Sequence, residues 1–247
     1  MNKQTIIFDL DDTLVHCNKY FGIVIDQFLD RMMTLFPRTE RAVIRSRLME
    51  IDLASVAANG LTMEHLPESF VATYKAFCGE QGAAADNRTA DELYNLGLSV
   101  FSIPVEPLPQ MVETLERLRD EGYRLVLHTG GEESNQYRKI TQLELSAYFD
   151  TRIYISKHKD TAALQRIVDQ MRLNLADAWM IGNSLRTDVM PGLSVGLNVI
   201  HIPTEDEWEY NNIEIDVKPR GAYLTLKSLE AIPDAIRAYA DREAAER

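Results

Sequence analysis

Apolar residues form short continuous runs at five places along the chain. The runs occupy residues 5–8, 123–127, 152–155, 178–181 and 198–202. Strands that are covered on both faces of a sheet read as continuous apolar stretches, so each run is predicted to be a buried strand. Helical patterns over residues 108–121 and 160–171 lie between the later runs. This alternation of strand and helix predicts a doubly wound parallel α/β sheet.

A different pattern fills the long stretch between the first and second runs. Its apolar residues recur at helical spacing and predict helices at residues 21–36, 39–53, 64–78 and 86–101, with breaks at Pro37, Asn59-Gly60 and residues 79–82. We therefore expect a Rossmann-like α/β core of residues 1–16 and 105–247. We also expect an α-helical cap domain of residues 17–104, inserted into this core. The Ala-rich residues 231–247 predict a surface helix.

Composition and charge narrow the class of protein. The chain has 247 residues, of which 45% are hydrophobic and 26% charged, close to the averages for globular domains. A net charge of -12 disfavours nucleic-acid and membrane partners, because phosphate backbones and anionic lipids are also negative. Cys17 and Cys78 lack the spacing of a metal or redox motif, which favours free thiols and a cytoplasmic location. The first residues form neither a signal peptide nor a membrane span.

Three carboxylates and a hydroxyl follow the first predicted strand, at Asp9, Asp11, Asp12 and Thr13. Open α/β sheets build their ligand sites at the carboxyl ends of the strands. Carboxylates gathered there repel one another unless a cation lies among them, and hard oxygen ligands favour Mg²⁺. Asp9 and Asp11 face the same side of an extended segment, so one can attack while the other transfers a proton. A strand-to-loop turn capped by Asp and Thr is the alternative interpretation.

Residues 9–13, Asp-Leu-Asp-Asp-Thr, resemble the first motif, DxDxT, of the haloacid dehalogenase (HAD) superfamily. The resemblance implies that Asp9 is the nucleophile, that Asp11 is the general acid and base, and that Thr13 helps to bind phosphate. The second motif of the family ends a strand in Thr or Ser, and Thr129 followed by Gly130 is similar. Thr129 is then expected to bind phosphate through its hydroxyl, and Gly130 to let the backbone approach the anion.

The third motif of the family is a lysine after the next strand, and this chain offers two candidates. Lys159 is favoured because it directly precedes Asp160 and a helical pattern, as in the Lys-Asp pairs of some family members. Lys157 lies closer to the strand and remains the alternative. Either lysine is expected to neutralise the attacking carboxylate and the phosphate.

The fourth motif of the family pairs Gly-Asp with a later Asp (GDxxxD), whereas residues 182–188 read Gly-Asn-Ser-Leu-Arg-Thr-Asp. Asn183 departs from the pattern but still offers a neutral oxygen. The predicted metal ligands are therefore Asp9, the backbone carbonyl of Asp11, Asp188 and Asn183, with Ser184 in support. A lower affinity for the metal is expected from the neutral residue at this position.

Together the four motifs predict a magnesium-dependent phosphatase that hydrolyses a small phosphomonoester through an aspartyl-phosphate intermediate. A phosphomutase of the same superfamily would carry the same motifs, and a catalytically degenerate phosphate-binding regulator would explain Asn183. A dehalogenase proper is disfavoured because it needs neither Asp11 nor Mg²⁺. The expected partner is a small phosphorylated metabolite that is selected by the cap. The sequence indicates neither which metabolite this is nor the oligomeric state of the protein. The acidic residues 205–209 match no motif and are interpreted as solvated surface.

Overall fold

A six-stranded parallel β-sheet forms the centre of the larger of two compact units. The computed structural model describes residues 4–245. The strands are β1 (Thr5–Phe8), β2 (Arg124–Gly130), β3 (Ile153–Ser156), β4 (Ala178–Gly182), β5 (Asn198–His201) and β6 (Tyr223–Thr225). Their order is β3-β2-β1-β4-β5-β6, and every neighbouring pair is parallel. The loops that follow β1 and β4 therefore leave the same edge of the sheet side by side, where ligand sites of open α/β sheets form.

Helices cover both faces of this sheet. They are α5 (Met111–Asp120), α6 (Glu133–Gln142), α7 (Ser146–Phe149), α8 (Thr161–Met171), α9 (Met190–Val195) and α10 (Ile232–Ala245). Successive side chains of a strand point to opposite faces. Ile6 and Phe8 of β1 join the apolar cluster that contains residues of α5 and α10, whereas Ile7 joins the cluster formed with α8 and α9. Burial on both faces explains why the apolar runs in the sequence are continuous.

The smaller compact unit, Lys19–Pro104, is helical. The helices of this part of the chain are α1 (Asn18–Leu35), α2 (Arg41–Asn59), α3 (His65–Glu80) and α4 (Asn87–Ser99). They bury an apolar core of their own, in which the rings of Phe28 and Phe70 stack with centroids 4.1 Å apart. Gly97 allows α4 to approach α3 closely, because a Cβ at this position would lie 2.7 Å from the Cα of Pro67.

The predicted fold class, a doubly wound parallel α/β sheet, is confirmed. The five predicted strands correspond to β1 to β5, but β6 was not predicted because it has three residues, two of them exposed. Helix α2 continues to Asn59 instead of ending at residue 53, because residues 54–58 are compatible with a helix and the turn comes only at Gly60, where φ is 77°.

The larger unit consists of the described residues up to Asn18 and from Val105 onward, compared with predicted boundaries after residues 16 and 104. Residues 1–3 of the predicted core and residues 246–247 of the predicted final helix lie outside the described residues. Within residues 4–245, every helix is too short or too polar to span a membrane.

Candidate active site

Two carboxylates meet one buried ammonium group at the carboxyl edge of the sheet. Asp9 directly follows β1, and its backbone N–H donates to the Ile181 carbonyl of β4 at 2.9 Å. Asp188 lies in a π-helical turn, Leu185–Val189, after β4. The Nζ of Lys159 donates to Oδ1 of Asp9 at 2.5 Å and also to Oδ1 of Asp188. The fold thus joins three residues that are far apart in the sequence.

Of the two candidate lysines, Lys159 is the one that contacts these acids. It lies in the turn after β3, and its side chain is only 2% exposed. Asp160 fixes the neighbouring backbone, since its carboxylate accepts a hydrogen bond from the Ala163 N–H at 2.8 Å and caps α8. Lys157 is exposed to solvent. The geometry therefore assigns the buried charge to Lys159, while its catalytic role stays a prediction.

Burial and like charge both act on the acids of this cluster. Burial raises the pKa of Asp9 to about 7; the charge of Lys159 opposes this rise, and the charges of Asp188 and Asp11 add to it. Burial also raises the pKa of Asp188 against the opposing charge of Lys159. The burial of Lys159 acts to lower its pKa, but the two carboxylates outweigh burial and raise it. One ammonium group therefore compensates two buried carboxylates only in part.

A second lysine holds Asp11, the predicted general acid and base. The Nζ of Lys139 donates to Oδ1 of Asp11 at 2.6 Å, and Nε2 of Gln136 donates to Oδ2 at 2.9 Å. Both residues lie on α6 three positions apart, so their side chains share one face of the helix. Lys139 is buried; burial acts to lower its pKa, but the Asp11 carboxylate outweighs burial and raises it. Neither residue was predicted from the sequence, since polar residues in a helical pattern are typical of a solvated face.

The next two residues of the first motif hold the chain itself in place. Asp12 has a left-handed backbone conformation (φ 59°), and its carboxylate accepts hydrogen bonds from the N–H groups of Cys17 and Asn18, both at 2.9 Å. Burial raises the pKa of Asp12 to about 7 in spite of these bonds. The Thr13 hydroxyl accepts from the Asn183 N–H at 3.0 Å and donates to Asn183 Oδ1 at 3.3 Å. Thr13 therefore joins two loops here, and its contact with phosphate stays a prediction.

The residues predicted to bind phosphate at the end of β2 lie next to α6. The Thr129 side chain is fully buried, and its hydroxyl lies 3.4 Å from the Gly130 carbonyl oxygen. That carbonyl accepts a hydrogen bond from Gln136, the residue that also holds Asp11. Contact of Thr129 and Gly130 with phosphate stays a prediction.

His128 on the same strand is a buried, neutral core residue. Its Nε2 lies 3.2 Å from the Ser156 hydroxyl of β3. Burial, followed by the positive charges of Lys159 and Arg166, lowers its pKa well below the usual value. The ring is therefore uncharged at neutral pH.

The fourth motif packs tightly around Asp188. A Cβ on Gly182 would lie 2.2 Å from Oδ2 of Asp188, so only glycine leaves room for the carboxylate. The Ser184 N–H donates to the same oxygen at 3.0 Å, and the Ser184 hydroxyl accepts from the Thr187 N–H at 3.1 Å. One backbone donor, the Ser184 N–H, thus orients the Asp188 carboxylate together with the Lys159 ammonium group.

Glu207 of the acidic loop after β5 reaches this motif, which corrects its interpretation as solvated surface; Glu205, Asp206 and Glu209 of the same loop are exposed. The Nδ2 of Asn183 donates to the Glu207 carboxylate, with the two oxygens at 3.2 and 3.3 Å. The Nδ2 of Asn211 donates to Oε1 of the same carboxylate at 2.5 Å. The backbone carbonyl of Asn183 accepts from Nε2 of His201 at 2.8 Å. Glu207 is therefore a further residue of the site that no sequence motif indicated.

The predicted metal ligands offer oxygen donors with incompletely compensated charge. Among residues 4–245, no group of three or more His, Cys, Asp or Glu side chains is arranged to hold a metal ion. The predicted set needs only two carboxylates, those of Asp9 and Asp188, since Asp11 contributes its backbone carbonyl and Asn183 an amide. The Lys159 ammonium group contacts both carboxylates, so they lie close enough together to share one cation. Oxygen donors with excess negative charge fit a hard divalent cation.

Comparison with known proteins identifies the family. The family model of haloacid dehalogenase-like hydrolases matches residues 3–196. The chain belongs to the haloacid dehalogenase-like hydrolases. This confirms the predicted membership of a phosphatase-like branch of the HAD superfamily. The family and the phosphatase relatives also support the predicted enzyme class, a phosphoric monoester hydrolase.

Individual relatives of this HAD-like hydrolase are distant but cover most of the chain. Human N-acylneuraminate-9-phosphatase is 23% identical over 205 residues, which are 78% of this chain and 79% of the relative. Glyceraldehyde 3-phosphate phosphatase of Pyrococcus abyssi is 24% identical over 202 residues, 80% of each chain. A haloacid dehalogenase-like family hydrolase from Xanthomonas campestris has a similar structure, with a TM-score of 0.78, 24% identity, and coverage of 99% of this chain and 95% of that one. This structural similarity supports the fold.

Proposed function

We propose that this hydrolase is a magnesium-dependent phosphatase that cleaves a small phosphomonoester through an aspartyl-phosphate on Asp9. The observation that carries the proposal is the pairing of Asp9 and Asp188 with one buried ammonium group, that of Lys159. Asp11 lies two residues from Asp9 and is held separately by a lysine and a glutamine. These contacts support Asp9 as the nucleophile, Asp11 as the proton-transfer group and the pair Asp9 and Asp188 as the cation site.

Asp9 is suited to nucleophilic attack on phosphorus. Its carboxylate is nearly dehydrated, and the ion pair with Lys159 favours the charged, attacking form against the effect of burial. In the first step a bond forms between a carboxylate oxygen of Asp9 and phosphorus, and the bond from phosphorus to the ester oxygen breaks. Lys159 offsets the charge that the phosphoryl group brings next to the acids.

Asp11 transfers the proton in both steps. The leaving oxygen takes a proton from the Asp11 carboxyl in the first step, and Asp11 takes a proton from the attacking water in the second. That water releases phosphate and restores the Asp9 carboxylate. The hydrogen bonds from Lys139 and Gln136 hold Asp11 in one orientation, which is the contribution of α6 to the reaction.

The metal would be held by Asp9, the Asp11 carbonyl, Asp188 and Asn183. When bound, Mg²⁺ supplies positive charge that screens the attacking carboxylate from the phosphate oxygens. The other phosphate ligands proposed are Thr129 and the backbone of Gly130, at the end of β2. Thr13 contributes by holding the loop that carries Asn183.

The relatives support a small phosphorylated metabolite as substrate. The human and archaeal proteins are named for N-acylneuraminate 9-phosphate and glyceraldehyde 3-phosphate, respectively. Cys17 and Cys78 are both free thiols, which is compatible with the reducing environment of the cytoplasm that we propose as its location.

A hydrolysis screen tests this proposal. Wild type, Asp9→Asn and the exposed-acid control Asp120→Asn are assayed against p-nitrophenyl phosphate and a panel of phosphorylated metabolites, with Mg²⁺ or with EDTA. We expect magnesium-dependent release of phosphate by wild type and control, and a loss of about a thousandfold or more in Asp9→Asn. Activity that is unchanged in EDTA, or retained by Asp9→Asn, would contradict the proposal.

The intermediate has its own test, because p-nitrophenolate leaves without needing a proton. In Asp11→Asn the first step is then expected to proceed while the second is slow. One equivalent of p-nitrophenolate should appear in a burst, and the protein should gain the mass of one phosphoryl group. A phosphomutase would instead transfer the group to a second substrate hydroxyl and release no phosphate.

A further inference from the structure

Glu207 is a half-buried carboxylate held by neutral donors next to the fourth motif. The side-chain amides of Asn183 and Asn211 donate to it, and Ser184 donates to Asn211 in turn. In the described part of the chain, no lysine, arginine or histidine forms an ion pair with Glu207. Amide donors orient a carboxylate but leave its charge uncompensated.

The charges of the surrounding site are also out of balance. When all are ionised, the carboxylates of this region outnumber the ammonium groups of Lys139 and Lys159; they are those of Asp9, Asp11, Asp12, Asp188 and Glu207. The Asp9 charge also acts on Glu207: burial is the main cause that raises the pKa of Glu207, and Asp9 adds to it. This excess of negative charge favours a bound cation.

Asn183 and Glu207 are complementary in this setting. An acid at position 183 would place two carboxylates within hydrogen-bond distance of each other, which is unfavourable without a cation between them. The amide avoids that repulsion and at the same time orients the Glu207 carboxylate. The neutral residue in the fourth motif and the acid on the loop after β5 thus form one unit.

We infer that the Glu207 carboxylate supplies negative charge for binding hydrated Mg²⁺. In family members that follow the GDxxxD pattern, the Asp at the position of Asn183 supplies this charge. Asn183 is the positioning partner of Glu207. The inference rests on the magnesium dependence proposed above and adds a residue from a different segment to the metal site. A neutral Asn183 then does not mean that the site has lost its metal.

Direct titration of the full-length, metal-free protein with MgCl₂ by isothermal titration calorimetry tests the inference without relying on activity. The variants are Glu207→Gln, which keeps the size of the side chain, the double variant Asn183→Asp with Glu207→Gln, and Glu205→Gln. The double variant exchanges acid and amide, so the hydrogen bond between the two positions is retained with its direction reversed. Glu205→Gln removes the same charge from an exposed position of the same loop.

We expect Glu207→Gln to weaken Mg²⁺ binding about tenfold to a hundredfold, the range found for groups that support metal ligands. The double variant should bind Mg²⁺ almost as tightly as wild type, and Glu205→Gln should match wild type. Urea unfolding in EDTA reports whether each variant is folded. Because the double variant restores both charge and hydrogen bond, it stays informative if Glu207→Gln folds poorly.

Two results would overturn the inference while leaving the proposed function intact. One is Mg²⁺ binding by Glu207→Gln that equals that of wild type. The other is a weakened affinity that the double variant does not restore, because Glu207 would then only pack the loop. If wild type itself binds no Mg²⁺, the proposed magnesium dependence fails together with the inference.

Discussion

Replacing Lys159 with methionine is expected to leave two buried carboxylates without their shared cation. The side chain of Lys159 is 2% exposed, and those of Asp9 and Asp188 are 7% and 0% exposed. Removing one partner of a buried ion pair typically costs about 3–5 kcal/mol, because the remaining charge cannot be hydrated. Here one change leaves two such charges close together, so we expect a loss of unfolding free energy near the upper end of that range. Methionine retains most of the apolar volume of the lysine, which confines the effect to the charge.

The assay is urea unfolding in EDTA, followed by tryptophan fluorescence. Both tryptophans, Trp179 and Trp208, lie in the α/β unit, so the signal reports on the unit that contains the site. The matched control is Lys157→Met, which removes the same charge from an exposed position two residues away. This control should change the free energy of unfolding by less than about 0.5 kcal/mol.

Repeating the measurement in MgCl₂ separates charge from packing. A cation that binds only the folded protein stabilises it by about 2.7 kcal/mol at a hundred times its Kd. We expect a larger stabilisation in Lys159→Met than in wild type, because the ion then replaces the missing ammonium charge. The reasoning is refuted if Lys159→Met unfolds at the urea concentration of wild type in EDTA, or if the Lys157→Met control loses as much stability.

Further predictions follow from other contacts. Gly182→Ala should lose about 1–3 kcal/mol of stability in urea unfolding, because its Cβ overlaps the fixed Asp188 carboxylate; wild-type stability would contradict this. Lys139→Met should lower kcat about tenfold to a hundredfold with little change in KM, because Asp11 loses its orientation; an unchanged kcat would exclude this role. His128 has a lowered pKa in the folded state, so stability that is present above pH 6.5 is lost as the pH falls. Relative to His128→Gln, wild type should lose about 1.4 kcal/mol per pH unit below about pH 6.5, measured by unfolding at pH 7, 6 and 5; parallel losses in both proteins would refute this.

Local patterns in the sequence determined the fold class and the backbone positions of several acids. A strand buried on both faces must be apolar throughout, so the sheet could be predicted from short runs alone. Asp9 and Asp188 could be placed at the carboxyl edge of the sheet because each follows such a run at short distance. β6 could not be predicted, since an exposed edge strand of three residues has no apolar run.

Only the tertiary structure decided which side chains meet at that edge. Lys139 contacts Asp11 across 128 positions of sequence, and Glu207 contacts Asn183 because the loop after β5 returns to the end of β4. The choice of Lys159 over Lys157 likewise depended on which lysine is buried, and the hydroxyl of Thr13 was found to be used by Asn183. Periodicity records whether a position is apolar, but the partner of a polar side chain is set by the packing of distant elements. The charge balance of the site was therefore visible only in three dimensions.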